Sequence, residues 1–217
     1  QGLYSLYVVD PSEENILAYS PASDGSGFPS NPQKRLAVGR DMSKVTDLLI
    51  DGDIFVVDGG QLVRFVGGKS EGWSATPAGA TNFSPEGDVL LRPTASYQLI
   101  ATGTDKRIGL LYAWDPESSR IVGIDKAKGT FVEQYRLVGG NPAWADIRGM
   151  YVIPAPEPGA PATLVWATKD AVMSAVLEAV PDVPSGSPRP SGSAGPSTPA
   201  GSPSASGRAS ARPTASP

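Results

Sequence analysis

The sequence predicts an all-β fold in which short antiparallel meanders stand side by side as blades of a β-propeller: about four blades, or an arc of a larger ring, followed by a disordered tail. Three observations predict it. A strand, turn, strand pattern, clearest in LLYAWDPESSRIVGIDKAKGTFV at residues 110–132, recurs as LYVVDPSEENILAYS from Leu6, DIFVVDGGQLVRFV from Asp53 and TLVWATKDAVMSAVL from Thr163. With Asp10, Asp58, Asp115 and Thr168 taken as equivalent, the copies lie 48, 57 and 53 residues apart, a blade-length period. Gly and Pro, 25 and 22 of 217 residues, break nearly every window long enough for a helix.

Unit one supplies strands at 4–9, 16–19 and 35–38, because the five residues before Leu6 are too few for a separate inner strand. Unit two runs 45–50, 54–58, 62–66 and a weak outer strand at 72–76. Its Ile54-Phe55-Val56-Val57 run is continuously apolar, as a strand covered on both faces requires, and Asp58-Gly59-Gly60 permits the positive φ angles of a tight hairpin. Unit three runs 97–102, 110–114, 120–125 and 131–137, with Pro116 fixing φ in a longer turn. Unit four gives 147–153, 163–168 and 172–177 and no outer strand. Residues 171–179 have some helix propensity, but their place in the repeat predicts a strand. Two closures are open: a small ring whose chain ends complement one another, and an arc, which four blades at the lower limit of the architecture favour. A β-sandwich of seven or more strands competes, although its strands need show no blade-length repeat.

Composition divides the chain into blades at 1–180, expected to be incomplete, and a Pro/Ser/Ala/Gly-rich tail at 181–217. Val183 is the one large aliphatic residue of that tail, so little offsets the entropy lost on ordering it. Without the tail, 15 basic residues face 21 acidic ones, a sign that disfavours a nucleic-acid partner. No segment has the ~20 apolar residues of a membrane span. Zero Cys excludes disulfides and thiolate chemistry, and zero His removes the commonest metal ligand and general base. Gln1 in place of Met points to a processed chain or a fragment, which leaves an upstream signal or anchor open.

The residues at 110–132 resemble an NHL or YVTN-type propeller repeat, carried by Leu111-Tyr112, Asp115, Ser118-Ser119, Arg120-Ile121-Val122 and Asp125. With the segments at 146–152 and 50–56, the set is similar to propeller regions of bacterial multidomain proteins, including some that follow a PPM-type phosphatase-like domain and a membrane span. The resemblance covers residues 1–179 and contains no phosphatase-like segment. The resemblance is specific for a propeller class and unspecific for function; the repeats, the acidic balance and the missing His point to a noncatalytic module that binds a protein or small-molecule ligand, extracytoplasmic rather than cytoplasmic. The copies are degenerate. Asn15 stands where unit three has Arg120, and Thr168 replaces the Asp, so no ring of identical ligands carries over. A propeller lyase, a quinoprotein-like dehydrogenase and a purely structural spacer are the alternatives.

No catalytic, cofactor-binding or metal residue is assigned, and nothing in the sequence calls for an obligate oligomer. Asp51, Asp53 and Asp58 lack the spacing of an EF-hand loop and read as turn carboxylates. Asp10, Asp58 and Asp115 are expected to accept backbone N–H groups in their turns. Arg64, Arg107, Arg120 and Arg148 suit either an anionic ligand or ties between blades, with ties favoured. Trp114 and Trp166, taken as corresponding strand positions, are expected to pack between blades. Trp144, in the loop at 139–144, together with Arg107 and Arg148, makes up the candidate ligand or partner site. Gly67-Gly68-Lys69-Ser70 lacks the spacing of a phosphate loop and reads as a turn.

Overall fold

The computed structural model describes residues 4–73, 75, 95–103, 109–136, 146–155, 157 and 160–177. The tail at 181–217 lies outside them. The described residues form four separate antiparallel sheets in chain order. Sheet I contains β1 (Leu6–Asp10), β2 (Asn15–Tyr19) and β3 (Gln33–Lys34); sheet II contains β4 (Val45–Asp51), β5 (Asp53–Asp58), β6 (Gln61–Val66) and β7 (Lys69–Ser70). Sheet III is β8 (Leu99–Ala101), β9 (Leu110–Asp115), β10 (Arg120–Asp125) and β11 (Phe131–Arg136), and sheet IV is β12 (Gly149–Ile153), β13 (Thr163–Ala167) and β14 (Val172–Val176). Each strand pairs with its neighbour in sequence, the meander of a propeller blade. A sandwich would have merged these hairpins into two facing layers.

Residue parity decides which sheet each side chain meets. Taking Asp10, Asp58, Asp115 and Thr168 as equivalent, the residues one and three positions earlier in the strand point forward along the series, and those two and four earlier point back. Phe55 and Val57 thus point forward to meet Leu111 and Ala113 of sheet III in one buried core. Tyr112 and Trp114 point forward to meet Leu164 and Trp166 of sheet IV in a second. Ile54 and Val56 point back to Tyr7, Val9 and Ile16 of sheet I in the third. This succession of cores, I on II, II on III and III on IV, makes the fold an all-β, propeller-like series. No core among the described residues joins sheet IV to sheet I.

Polar ties reinforce the stacking. The Thr46 hydroxyl donates to Gln98 O at 2.9 Å, and Ile100 N–H donates to the Asp47 carboxylate at 2.8 Å, joining β4 to the β8 segment. Burial pushes the Asp47 carboxyl above its usual range despite that bond and one from Leu48 N–H. Arg64 takes Asp53 at 2.6 Å and reaches Ala127 O at 2.9 Å, while Lys126 pairs with Asp51 at 2.6 Å. Both cross from sheet II to sheet III, the tie expected of Arg64.

The structure corrects three expectations. Residues 35–38 are not a strand: Arg35 N–H makes a last bond to Ile16 O, after which Leu36 N–H donates to the Asn15 side chain and Ala37 N–H to Gly68 O of sheet II, so the chain leaves sheet I. The outer strand of sheet II is Lys69–Ser70, not 72–76, because Gly67 and Gly68 both take positive φ (55° and 80°) and reverse the chain at once; residues 74 and 76 lie outside the described set. Trp114 and Trp166 are not at corresponding positions. They stand one and two residues before their reference positions, so period two sends them to opposite faces and they enter the same core from either side.

Gly68 also fixes how closely sheet II approaches the chain leaving sheet I. A Cβ there would lie 2.4 Å from Arg35 O, whereas Gly67 has open space around it. Gly68→Ala is therefore expected to lose about 2–3 kcal/mol, combining left-handed strain with backbone displacement. Gly67→Asn should lose under about 1 kcal/mol, since Asn tolerates that φ. Urea midpoints at unchanged m-value test the pair.

Candidate functional site

A cleft of about 700 Å³ opens between the connector from sheet I to sheet II and the near edge of sheet II. Its wall follows from where the connector is pinned. Leu36 and Met42 are both buried in the I/II core, 5% and 1% exposed, so the polar stretch between them must arch outward. Arg40 N–H donates to Glu14 O at 2.9 Å, which ties the arch to the β1–β2 turn. Val38, 80% exposed, stands at the rim. Asp58, Phe65, Gly68, Lys69 and Ser70 form the opposite side.

Five charged side chains line the cleft: Arg40, Lys44 and Lys69 against Asp41 and Asp58. Arg40 is held twice, by an ion pair to Asp58 and by its guanidinium carbon 5.7 Å from the centroid of the Phe65 ring. Hydrogen bonds from the Ser43 hydroxyl and the Ser43 N–H hold the Asp41 carboxyl below the usual carboxylate range. Lys44 and Lys69 make no ion pair with a described residue. The cleft therefore offers two ammonium groups with no ion pair to a described residue, Lys44 acting at longer range on Asp41, together with a fixed guanidinium, an arrangement suited to a carboxylate or phosphate.

Of the sequence-predicted site residues, the structure describes Arg148 alone. Trp144 and Arg107 lie outside the described residues. Arg148 precedes β12 on sheet IV, its exposed side chain 3.4 Å from Asp146 and its N–H bonded to Ala167 O at 2.8 Å, and it is not among the cleft's lining residues. Sequence reading missed the cleft. Its one legible sign is the basic and acidic run Arg40-Asp41-Met42-Ser43-Lys44 between two strand units.

The recurring aspartates divide by environment. Asp10 accepts Ser12 N–H at 2.9 Å and Glu13 N–H at 3.2 Å, the expected turn role, and the Thr168 hydroxyl accepts Ala171 N–H at 3.2 Å in the same place. Asp58 and Asp115 instead hold arginines, Arg40 and Arg120. Asp51, Asp53 and Asp58 each face a different cation, and no group of three metal-binding side chains occurs among the described residues.

No protein-family model matches the chain. No curated protein matches it either. Solved structures similar to it include a nidogen/laminin complex, at 14% identity over 81% of this chain and 58% of that one, TM-score 0.49. Myxococcus xanthus glutaminyl cyclase is similar at 20% identity over 82% of this chain and 73% of that one, TM-score 0.44. Kuenenia stuttgartiensis hydrazine synthase is similar at 14% identity over 64% and 34%, TM-score 0.39. The chain spans between a third and three-fifths of the length of the first such structures. The fold itself rests on the order of the sheets and the three cores between them.

Proposed function

We propose that this chain is a noncatalytic propeller module that binds a carboxylate- or phosphate-bearing ligand, free or displayed on a protein, in the cleft between sheets I and II, as the interaction part of a larger bacterial protein. The observation that carries the reading is that Lys44 and Lys69, with no ion pair to a described residue, line one cleft with the Phe65-backed Arg40. The commitment of the carboxylates supports a noncatalytic role. Asp51, Asp53, Asp58 and Asp115 all hold cations that join strands or sheets, which leaves them poorly placed to exchange protons with a substrate. The NHL-like residues at 110–132 support the assignment to a larger bacterial protein.

Thermal unfolding with inorganic phosphate, citrate and a short polyglutamate peptide tests the reading. At least one of these probes should raise Tm at low salt, with a stabilisation that grows with the logarithm of its concentration and reaches about 2.7 kcal/mol at a hundred times its Kd. Lys44→Ala combined with Lys69→Ala should weaken binding at least tenfold, since each charge-assisted bond contributes about 1.5–3 kcal/mol. Absence of any shift, or an unchanged shift in the double variant, rejects the cleft. Chemical turnover of a bound probe rejects the noncatalytic role.

A further inference from the structure

The cleft between sheets I and II is larger than the single anion its charges call for, and part of its wall is bare backbone. Its volume of about 700 Å³ falls in the range, ~300–1,000 Å³, that holds a ligand of many atoms. One wall is β7, the edge strand of sheet II. Glu71 N–H donates inward to Arg64 O at 3.0 Å. An antiparallel ladder changes direction at every residue, so the neighbouring Ser70 turns its N–H and C=O away from β6, toward the cleft that it lines. The other wall is the exposed arch at Val38 and Gly39. The backbone groups of Val38, Gly39 and Ser70 make no hydrogen bond with any described residue. Ala37 N–H, bonded to Gly68 O at 2.9 Å, joins the two walls at one end.

We infer that the cleft takes an extended acidic peptide, a segment rich in Asp or Glu, whose backbone adds to β7 at Ser70 while its carboxylates meet Lys44 and Lys69. This rests on the anion-binding reading and narrows it from any anion to one carried on an extended chain. Backbone selects the chain. An outward N–H and C=O on one residue are the complement of another strand's backbone, whereas a carboxylate accepts from the N–H and has nothing to donate to the C=O. Charge selects the acid. Arg40, Lys44 and Lys69 outnumber Asp41 and Asp58 in the lining, and both carboxylates are engaged, Asp58 by Arg40 and Asp41 by Ser43. A two-residue edge strand with a lysine is also the usual guard against stray strand pairing. Lys69 thus opposes a neutral or basic strand and attracts an acidic one. Glu71, the next residue along, is not among the lining residues.

Amide hydrogen exchange on the full 217-residue chain, with saturating hexaglutamate or saturating citrate, tests it. The Ser70 amide should exchange about tenfold more slowly with the peptide and be unaffected by citrate. A hexamer of N-methylglutamate carries the same side-chain charges and no internal backbone N–H. It should bind about tenfold more weakly than hexaglutamate, the worth of one or two backbone hydrogen bonds. Ser70→Pro removes the outward N–H at a place where an edge strand tolerates proline, and should lower the ratio of hexaglutamate to citrate affinity by a similar factor. If circular dichroism shows that variant unfolded, the methylated peptide makes the same test on the unaltered chain. Hexaglutamate binding that leaves the Ser70 amide unprotected, equal protection by citrate, or equal affinity for the methylated hexamer overturns the peptide and leaves the anion-binding reading standing. Failure of hexaglutamate, citrate and phosphate alike overturns both.

Discussion

Replacing Arg120 with Met is expected to cost this chain about 3–5 kcal/mol, enough to unfold most of it if its stability is that of an ordinary domain. Arg120 Nε donates to Asp115 Oδ2 at 2.8 Å and its Nη1 to Gln134 Oε1 at 3.1 Å, with both charged side chains wholly buried. Removing the guanidinium strands the Asp115 carboxylate beneath the sheet. Its Oδ1 already lacks a hydrogen-bond partner, so the guanidinium is the charge that compensates it. The companion experiment separates the pair from the burial. Asp115→Leu combined with Arg120→Met should recover most of the loss, because an apolar pair of similar volume avoids the cost of desolvating two ions. Chemical unfolding of the two single variants and the double variant measures the coupling. A double variant no more stable than Arg120→Met would show that the loss comes from packing rather than from an abandoned charge.

That pair also marks where the sequence was legible and where it was not. The hairpins could be read because a strand between two packed sheets is apolar throughout and its turn is written in Asp, Pro and Gly; 120–125 was expected, and β10 is Arg120–Asp125. The turn itself repeats in detail. Asp-Pro-Ser-Glu-Glu and Asp-Pro-Glu-Ser-Ser each end in a left-handed residue, Glu14 at φ 51° and Ser119 at φ 47°. The outer strand of sheet III was legible, 131–137 expected and Phe131–Arg136 found, but those of sheets I and II escaped because the two-residue edges Gln33–Lys34 and Lys69–Ser70 bury nothing and leave no apolar alternation to detect. The roles of Asp58 and Asp115 escaped for another reason. The partner of the carboxylate at the end of the second strand depends on what stands around it: its own turn at Asp10, the connector's Arg40 at Asp58, and Arg120 of its own sheet at Asp115. The cleft was hidden for the same kind of reason, since it exists only once Leu36 and Met42 are both buried.

Asn15→Ala is expected to cost about 3 kcal/mol, a large loss for one small polar side chain, and to open the cleft as it does so. Asn15 is 3% exposed, and its Oδ1 accepts three backbone N–H groups: Ile16 at 2.9 Å, Arg35 at 3.1 Å and Leu36 at 2.9 Å. Its Nδ2 donates to Leu36 O at 3.3 Å. Each buried donor left without an acceptor costs about 1–3 kcal/mol, but Arg35 N–H also reaches Ile16 O at 2.9 Å, so the full sum is not lost. Asn15→Asp should lose less at neutral pH, because the carboxylate keeps the acceptor and gains from three convergent N–H groups, forfeiting only the donation to Leu36 O. The functional consequence follows from position. Asn15 holds Leu36 in the I/II core, Leu36 pins one end of the arch, and Arg40 stands on that arch. Anion binding by the Asn15→Ala protein should therefore weaken under conditions where it remains folded, although Asn15 does not line the cleft. Hydrogen exchange reads the first step directly: the Leu36 amide should lose protection in Asn15→Ala and keep it in Asn15→Asp. A Leu36 amide still protected in the alanine variant would mean that the arch is pinned by Met42 and the Gly68 contact instead, and the predicted loss of binding would not occur.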